Sequence, residues 1–195
     1  MENVADQIFK TFHHIAREVQ IYFLSGFLVL MNCLLLDSLY FDYSLIGYIN
    51  LHGLAIPFAI LAYATGHFCM AVYYIAFEVT NLERFVKEKL SLGGRINRTA
   101  LPQLYSRNKE QYLHFVERYV ILSEMRATLA AASFLNFVTD VAFTQVIPLK
   151  WQLWVASLVF GVSWLAFFVL TCRTDHDYAD RVNGLMNESA GASSS

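Results

Sequence analysis

LHGLAIPFAILAYATGHFCMAVYYIAFEVTNLERFVKEKLSLGG, residues 51–94, passes from apolar to charged without changing its period. From Leu51 to Phe77 it is apolar and longer than the ~20 residues a helix needs to cross a bilayer. Beyond Phe77, Val79, Leu82, Val86 and Leu90 still recur every three or four residues, one face of a 3.6-residue period. Glu83 and Lys87, like Arg84 and Glu88, stand one helical turn apart, so the other face carries helix-supporting ion pairs. Ser91-Leu92-Gly93-Gly94 then stops the helix, because glycine accepts the left-handed conformations that end one. After a basic connector, Arg95-Ile96-Asn97-Arg98, Pro102 suits the first turn of a returning helix. That helix is polar around Asn108 to Arg118 and apolar from about Ala127 to Ile147. Residues 78–126 are therefore expected to form a helical hairpin that extends spans two and three past the headgroups.

Working outward, Val4, Ile8, Phe12, Ile15 and Val19 make one stripe, with Asp6, Lys10, Arg17 and Glu18 elsewhere. Residues 4–19 read as an interfacial amphipathic helix, or as an ordinary packed N-terminal helix. The first span is 20–36, with Asn32 as its one strongly polar interior residue. Tyr40, Phe41, Tyr43 and Tyr48 then give the following loop the composition of an interfacial aromatic belt. In the second span, 51–77, Ala55, Ala59, Ala62 and Gly66 form a row of small residues that lets another helix approach, and Pro57 should bend it near one end. The third span is 127–147. Pro148-Leu149-Lys150 turns the chain into the fourth, 151–172, which opens on Trp151 and Trp154 and offers Ser157 and Gly161 as a second close contact. From Arg173 the tail is polar, with a weak repeat at Tyr178, Val182 and Leu185, and 191–195 read as a tag scar or disordered end. The expected fold is all-α: one polytopic membrane domain, 1–190, with four transmembrane helices.

Composition agrees. Hydrophobic residues are 56% of the chain and charged ones 15%, against about 25% charged in soluble domains. Mean hydropathy is +0.42. A net charge of −2 argues for no acidic bulk partner such as nucleic acid. Cys33, Cys69 and Cys172 all fall in apolar segments and suggest neither a disulfide framework nor a metal site. No cleavable signal peptide is evident in the first twenty residues. Basic residues set the expected orientation. The first connection has none and the last only Lys150, whereas the middle one holds Arg84, Lys87, Lys89, Arg95, Arg98, Arg107, Lys109 and Arg118. Both termini and the hairpin are thus expected on the cytoplasmic side; the small size and minimal outer loops point to a bacterial inner membrane.

Asp140 is the sharpest intramembrane signal. Arg126, Ser133, Asn136 and Asp140 share one polar face of span three. Such a face lines either a cavity or pore, or a packed interface. A carboxylate held by a neighbouring Asn or Thr is the preferred reading. His67, with Tyr63 one turn before it, is either a pH-sensing group or a neutral ring bonded to a tyrosine or carbonyl. Its depth differs from that of Asp140 by about 15 Å, too far for a direct proton relay. Glu124 and Arg126, two apart on a helix, cannot face each other, so each needs a partner elsewhere; snorkelling suits Arg126. Arg95, Arg98, Tyr105, Arg107, Lys109 and Tyr112 combine Arg with aromatics at the hairpin tip, the composition of a partner-binding surface. Anionic membrane lipid explains the basic residues nearer the bilayer. His13-His14 and Asp175-His176-Asp177 with Asp180 supply no recognised metal ligand set. Asn97-Arg98-Thr99 matches a glycosylation pattern but is placed on the cytoplasmic side. There is no Cys-x-x-Cys, no glycine-rich nucleotide loop and no intramembrane serine-protease motif around Ser163, so no enzyme activity and no cofactor are expected.

Four spans, very small outward loops and a charged hairpin between spans two and three resemble the four-helix membrane subunit of the bacterial Kiwa anti-phage system. The likeness is architectural and covers the whole chain, without a diagnostic motif or a transferable functional residue. It implies a homo-oligomeric membrane sensor working with a soluble cytoplasmic protein. The expected function is a sensor or anchor that couples the envelope to such an effector. The alternative is a small oligomeric ion channel or pore lined by the polar face of span three.

Overall fold

The computed structural model describes residues 17–41, 53–92, 109–146 and 150–191, with positions 45, 47 and 49; in the two long C-terminal helices side chains are described over 118–145 and 150–184. The described residues form helices and no strand. Four helices are long and apolar enough to cross a membrane: Val19–Tyr40, Ala55–Val79, Arg118–Gln145 and Trp151–Gly184. The chain is a multi-pass membrane protein. The expected N-terminal helix and the hairpin tip fall almost wholly outside the described residues.

Helix α1 is Val19–Tyr40. It opens with a π-helical turn, Val19–Phe23, where the Ser25 hydroxyl donates to the carbonyls of Ile21 (3.1 Å) and Tyr22 (3.0 Å). At its other end the Phe41 amide donates to Asp37 O (2.8 Å), and the Asp37 carboxylate accepts the Leu45 amide at 2.9 Å. Helix α2, Ala55–Val79, follows Gly53, whose φ of +62° suits glycine. Pro57 lies in the first turn, where the amide it lacks has no intrahelical partner, so it starts α2 without breaking a hydrogen bond of its ladder.

The sequence pattern implied an unbroken helix from Leu51 to Leu90; the structure interrupts it. Tyr74–Val79 widens into a π-helix, and Asn81 then takes a left-handed conformation (φ 58°). Asparagine tolerates that conformation better than most residues. Helix α3, Leu82–Lys89, is separate. It ends before the glycines: Ser91 is left-handed (φ 54°), and Leu92 N–H donates to Lys87 O (2.9 Å) while Ser91 N–H donates to Glu88 O (3.3 Å). Those two bonds are a Schellman cap.

Helix α4, Lys109–Val146, has 38 residues and α5, Trp151–Gly191, has 41, about 57 and 61 Å. Both run on well past the apolar stretches ending at Ala127 and Cys172. The helices seen to continue unbroken past that plane are thus the third and fourth, whereas the pattern had pointed to the second and third. The tail repeat explains the difference: Ala179 (0% exposed) and Val182 (2%) are buried, and the Tyr178 ring lies 5.8 Å from that of Tyr119 of α4, tilted by 37°.

Register follows from side-chain contacts. Helices α1 and α4 are parallel, with Ile21 beside Thr128, Leu28 beside Asn136 and Asn32 beside Asp140. Helices α4 and α5 are antiparallel, pairing Ser123 with Asp175, Phe134 with Trp164 and Phe137 with Gly161. Ala62 and Gly66 of α2 lie against Gly26 and Tyr22 of α1 with backbone meeting backbone. Phe77, however, touches Phe134 (5.5 Å between centroids), Trp164 (6.3 Å) and Phe168 (5.1 Å). Ala62 and Phe77 are about 22 Å apart along α2, yet both engage the bundle near the level of Phe134. Helix α2 therefore crosses the bundle obliquely, from α1 to the α4–α5 seam. Cys69, Tyr73, Phe77, Ala127, Ala130, Phe168 and Cys172 form the core around that crossing.

Candidate functional site

Three of the residues picked out on span three belong to the α1–α4 seam. Asn32 Nδ2 donates to Asp140 Oδ1 at 2.8 Å, and Asn136 Nδ2 donates to the Leu28 carbonyl at 3.2 Å. The Thr128 hydroxyl donates to Ile21 O at 3.1 Å. Ser133, Asn136 and Asp140 are 0%, 2% and 0% exposed. The polar face is thus closed by α1 of the same chain. Asn32, Asp140, Ser133 and Ser157 each retain one buried oxygen without a partner among the described residues (Oδ1, Oδ2, Oγ and Oγ).

His67 lies elsewhere. Its ring stacks on Tyr22 (3.8 Å, 20° between planes) and meets the edge of Tyr63 at 4.7 Å. The Tyr63 hydroxyl donates to Glu18 Oε2 at 2.9 Å, and His67 Nε2 is 4.0 Å from the same oxygen. Tyr22 and Asn32 are ten residues apart on α1, which keeps His67 about 15 Å from Asp140 in depth, as the sequence implied.

Glu124 and Arg126 find separate partners. Glu124 pairs with Arg17 at 3.0 Å. Arg126 Nη1 donates to the Thr174 hydroxyl and contacts the Leu170 carbonyl at 3.4 Å, a bridge to α5. Arg95, Arg98, Tyr105 and Arg107 lie outside the described residues; Lys109 and Tyr112 sit on the first turns of α4, where only the backbone is described.

The Glu83–Lys87 spacing predicts only a helix-supporting ion pair. In the structure Lys87 is half-buried at the centre of a network that joins four helices. Its Nζ donates to Glu83 within α3 and to Asp175 Oδ2 of α5 at 2.8 Å. Asp175 Oδ1 accepts the Ser123 hydroxyl of α4 at 2.7 Å, and Glu83 Oε2 accepts the Tyr73 hydroxyl of α2 at 3.1 Å. The chain Tyr73–Glu83–Lys87–Asp175–Ser123 clasps α3 where the apolar stretches end. The cluster at Asp175, His176, Asp177 and Asp180 is accordingly divided: Asp175 serves Lys87, and His176 Nε2 faces Asp180 at 3.4 Å.

No family model, curated protein or solved structure matches the chain. Burial on its own would lower the Lys87 pKa, but the hydrogen bonds and charges of Asp175 and Glu83 outweigh it and raise the value. With the folded value above the unfolded one, the clasp's contribution is fully present below about pH 10.5 and is lost only as pH rises through the higher folded value. Around neutral pH, Lys87 holds its charge.

The clasp makes a local prediction. Asp175→Asn should speed hydrogen exchange of the α3 amides about fivefold, the equivalent of roughly 1 kcal/mol for a partly buried pair, and leave the amides near Ala130 unchanged. Unaltered exchange over Leu82–Lys89 would show that α3 is held by other contacts.

Proposed function

We propose that the chain is a homo-oligomeric membrane sensor or anchor subunit that couples the envelope to a soluble cytoplasmic protein, its termini and charged end on the cytoplasmic side of a bacterial inner membrane. The observation behind this reading is the pair α4–α5. Two helices run without a break from the end at Lys150 to beyond the clasp, and aromatic contacts and polar bridges hold them in register along the way. A packed interior of this kind passes on a rigid displacement instead of absorbing it. A change of packing among the spans, driven by envelope disturbance, would reach the charged end through them. The resemblance to the Kiwa membrane subunit makes phage attack the stimulus to try first.

Burial of Ser133, Asn136 and Asp140 inside one protomer weighs against the pore alternative, because a conducting face must meet water. No catalytic role is assigned to any residue. The partner surface proposed is Arg95, Arg98, Tyr105, Arg107, Lys109 and Tyr112. Reversing charge at Arg95, Arg98 and Arg107 together should abolish co-purification of the soluble protein while membrane insertion stays intact. Undiminished co-purification would remove this surface from the proposal.

A further inference from the structure

Helix α3 lies against the bundle and does not stand clear of it. Its clasp fixes it in the plane where α4 and α5 stop being apolar, level with the Arg17–Glu124 pair. One side faces the protein: Val86 and Leu92 pack on the core, and Glu83 and Lys87 meet Tyr73 and Asp175. The neighbouring side is an uncovered apolar arc. Leu82 is 37% exposed and Phe85 55%, and the arc continues the bare apolar surface of α2 at Ile75 (63%) and Val79 (57%). Lys89 lies over the Phe85 ring at 5.8 Å and makes no ion pair among the described residues. Arg84 and Glu88 pair with each other at 3.1 Å on the outer face.

An aromatic and a leucine on one arc, a lysine stacked above them and a salt-bridged face turned away are the pattern of a helix seated in a headgroup region. The occupant follows from continuity. Ile75 and Val79 belong to a helix that crosses the bilayer, so lipid already covers them, and the arc at Leu82 and Phe85 extends the same surface to the place where phosphates begin. We infer that α3 is a leaflet-binding helix: Leu82 and Phe85 enter the acyl region, and Lys89 takes the phosphate of an anionic phospholipid. The clasp Lys87–Asp175 holds α3 at that depth, so lipid charge acts directly on the segment that joins α2 to α5. This holds whether or not a soluble effector docks on the distal tip.

The test uses the purified full chain in sealed vesicles of phosphatidylcholine, with and without phosphatidylglycerol. Phe85→Cys and Arg84→Cys, both at exposed positions, are labelled with a water-soluble maleimide after subtraction of wild-type labelling at Cys33. The cysteine at 85 should react about tenfold more slowly than the one at 84, since a thiol in the acyl region forms little thiolate. Phosphatidylglycerol should deepen that protection about fivefold, and Lys89→Gln should remove the gain. Equal rates at 84 and 85 would overturn the inference. So would protection indifferent to both phosphatidylglycerol and Lys89→Gln. Protection present in crude membranes but absent in vesicles of the purified chain would assign the arc to a soluble protein and sink the lipid reading.

Discussion

Gly66→Leu should leave no properly folded protein, and Gly26→Leu should do the same. A Cβ at Gly66 would stand 1.7 Å from the Tyr22 carbonyl oxygen, and one at Gly26 would stand 1.7 Å from the Ala62 carbonyl oxygen. Both obstacles are backbone atoms, so no rotamer change relieves the clash; the axes of α1 and α2 must move apart. Within a bilayer, helix association rests on this close packing, because lipid is as apolar as the helix surface it would replace. Even alanine at either position should cost about 3 kcal/mol, the upper part of the overpacking range, and lower the apparent melting midpoint by roughly 10 °C. The leucine variants are expected to run as aggregate on size-exclusion chromatography in mild detergent. Gly184→Ala is the internal control. Nothing lies within 4 Å of a Cβ there, and the site is on a regular helix, so the change should stabilise by up to ~1 kcal/mol. A monodisperse Gly66→Leu protein with an unchanged midpoint would mean that α1 and α2 do not meet this way.

Ala62 and Gly66 were legible because a small residue repeated at helical spacing has few other uses in an apolar span. Ser157 and Gly161 were legible for the same reason: Ser157 is buried, and a Cβ at Gly161 would stand 3.2 Å from the Phe137 ring. Asp140 announced its need for an amide or hydroxyl, though nothing local said that Asn32, 108 residues away, would supply it. Other features left no readable trace. Val79, Leu82 and Val86 keep their period across the break at Asn81, because the hydrophobic pattern records which face is buried and is blind to one residue entering the left-handed region. The Lys87–Asp175 clasp was hidden because Glu83, one turn away, already accounted for the lysine. The length of α5 was masked by the polar composition of its second half, where burial against α4 is narrow and runs through Ala179 and Val182.

Asn32→Leu and Asp140→Asn should act in opposite directions. Asp140 is fully buried in a membrane-spanning helix and its carboxyl accepts one hydrogen bond, from Asn32. Removing the amide strands it, and an unsatisfied buried polar group costs roughly 1–3 kcal/mol, more when charged. Asn32→Leu is therefore expected to lower the melting midpoint by about 10 °C, approaching the glycine variants. The partner change follows from counting donors. Asn32 Oδ1 and Asp140 Oδ2 are both buried acceptors without a donor among the described residues. An amide in place of the carboxyl brings its own N–H group to that pair, so Asp140→Asn should be neutral or stabilising. The double change Asn32→Leu with Asp140→Leu should recover most of the loss, since two apolar groups leave nothing unpaired. Midpoints of the four proteins in detergent decide the matter. If Asp140→Asn proves as damaging as Asn32→Leu, the carboxylate is needed for its charge, and a hydrated or ion-conducting role for the α1–α4 seam regains the ground that its burial had cost it.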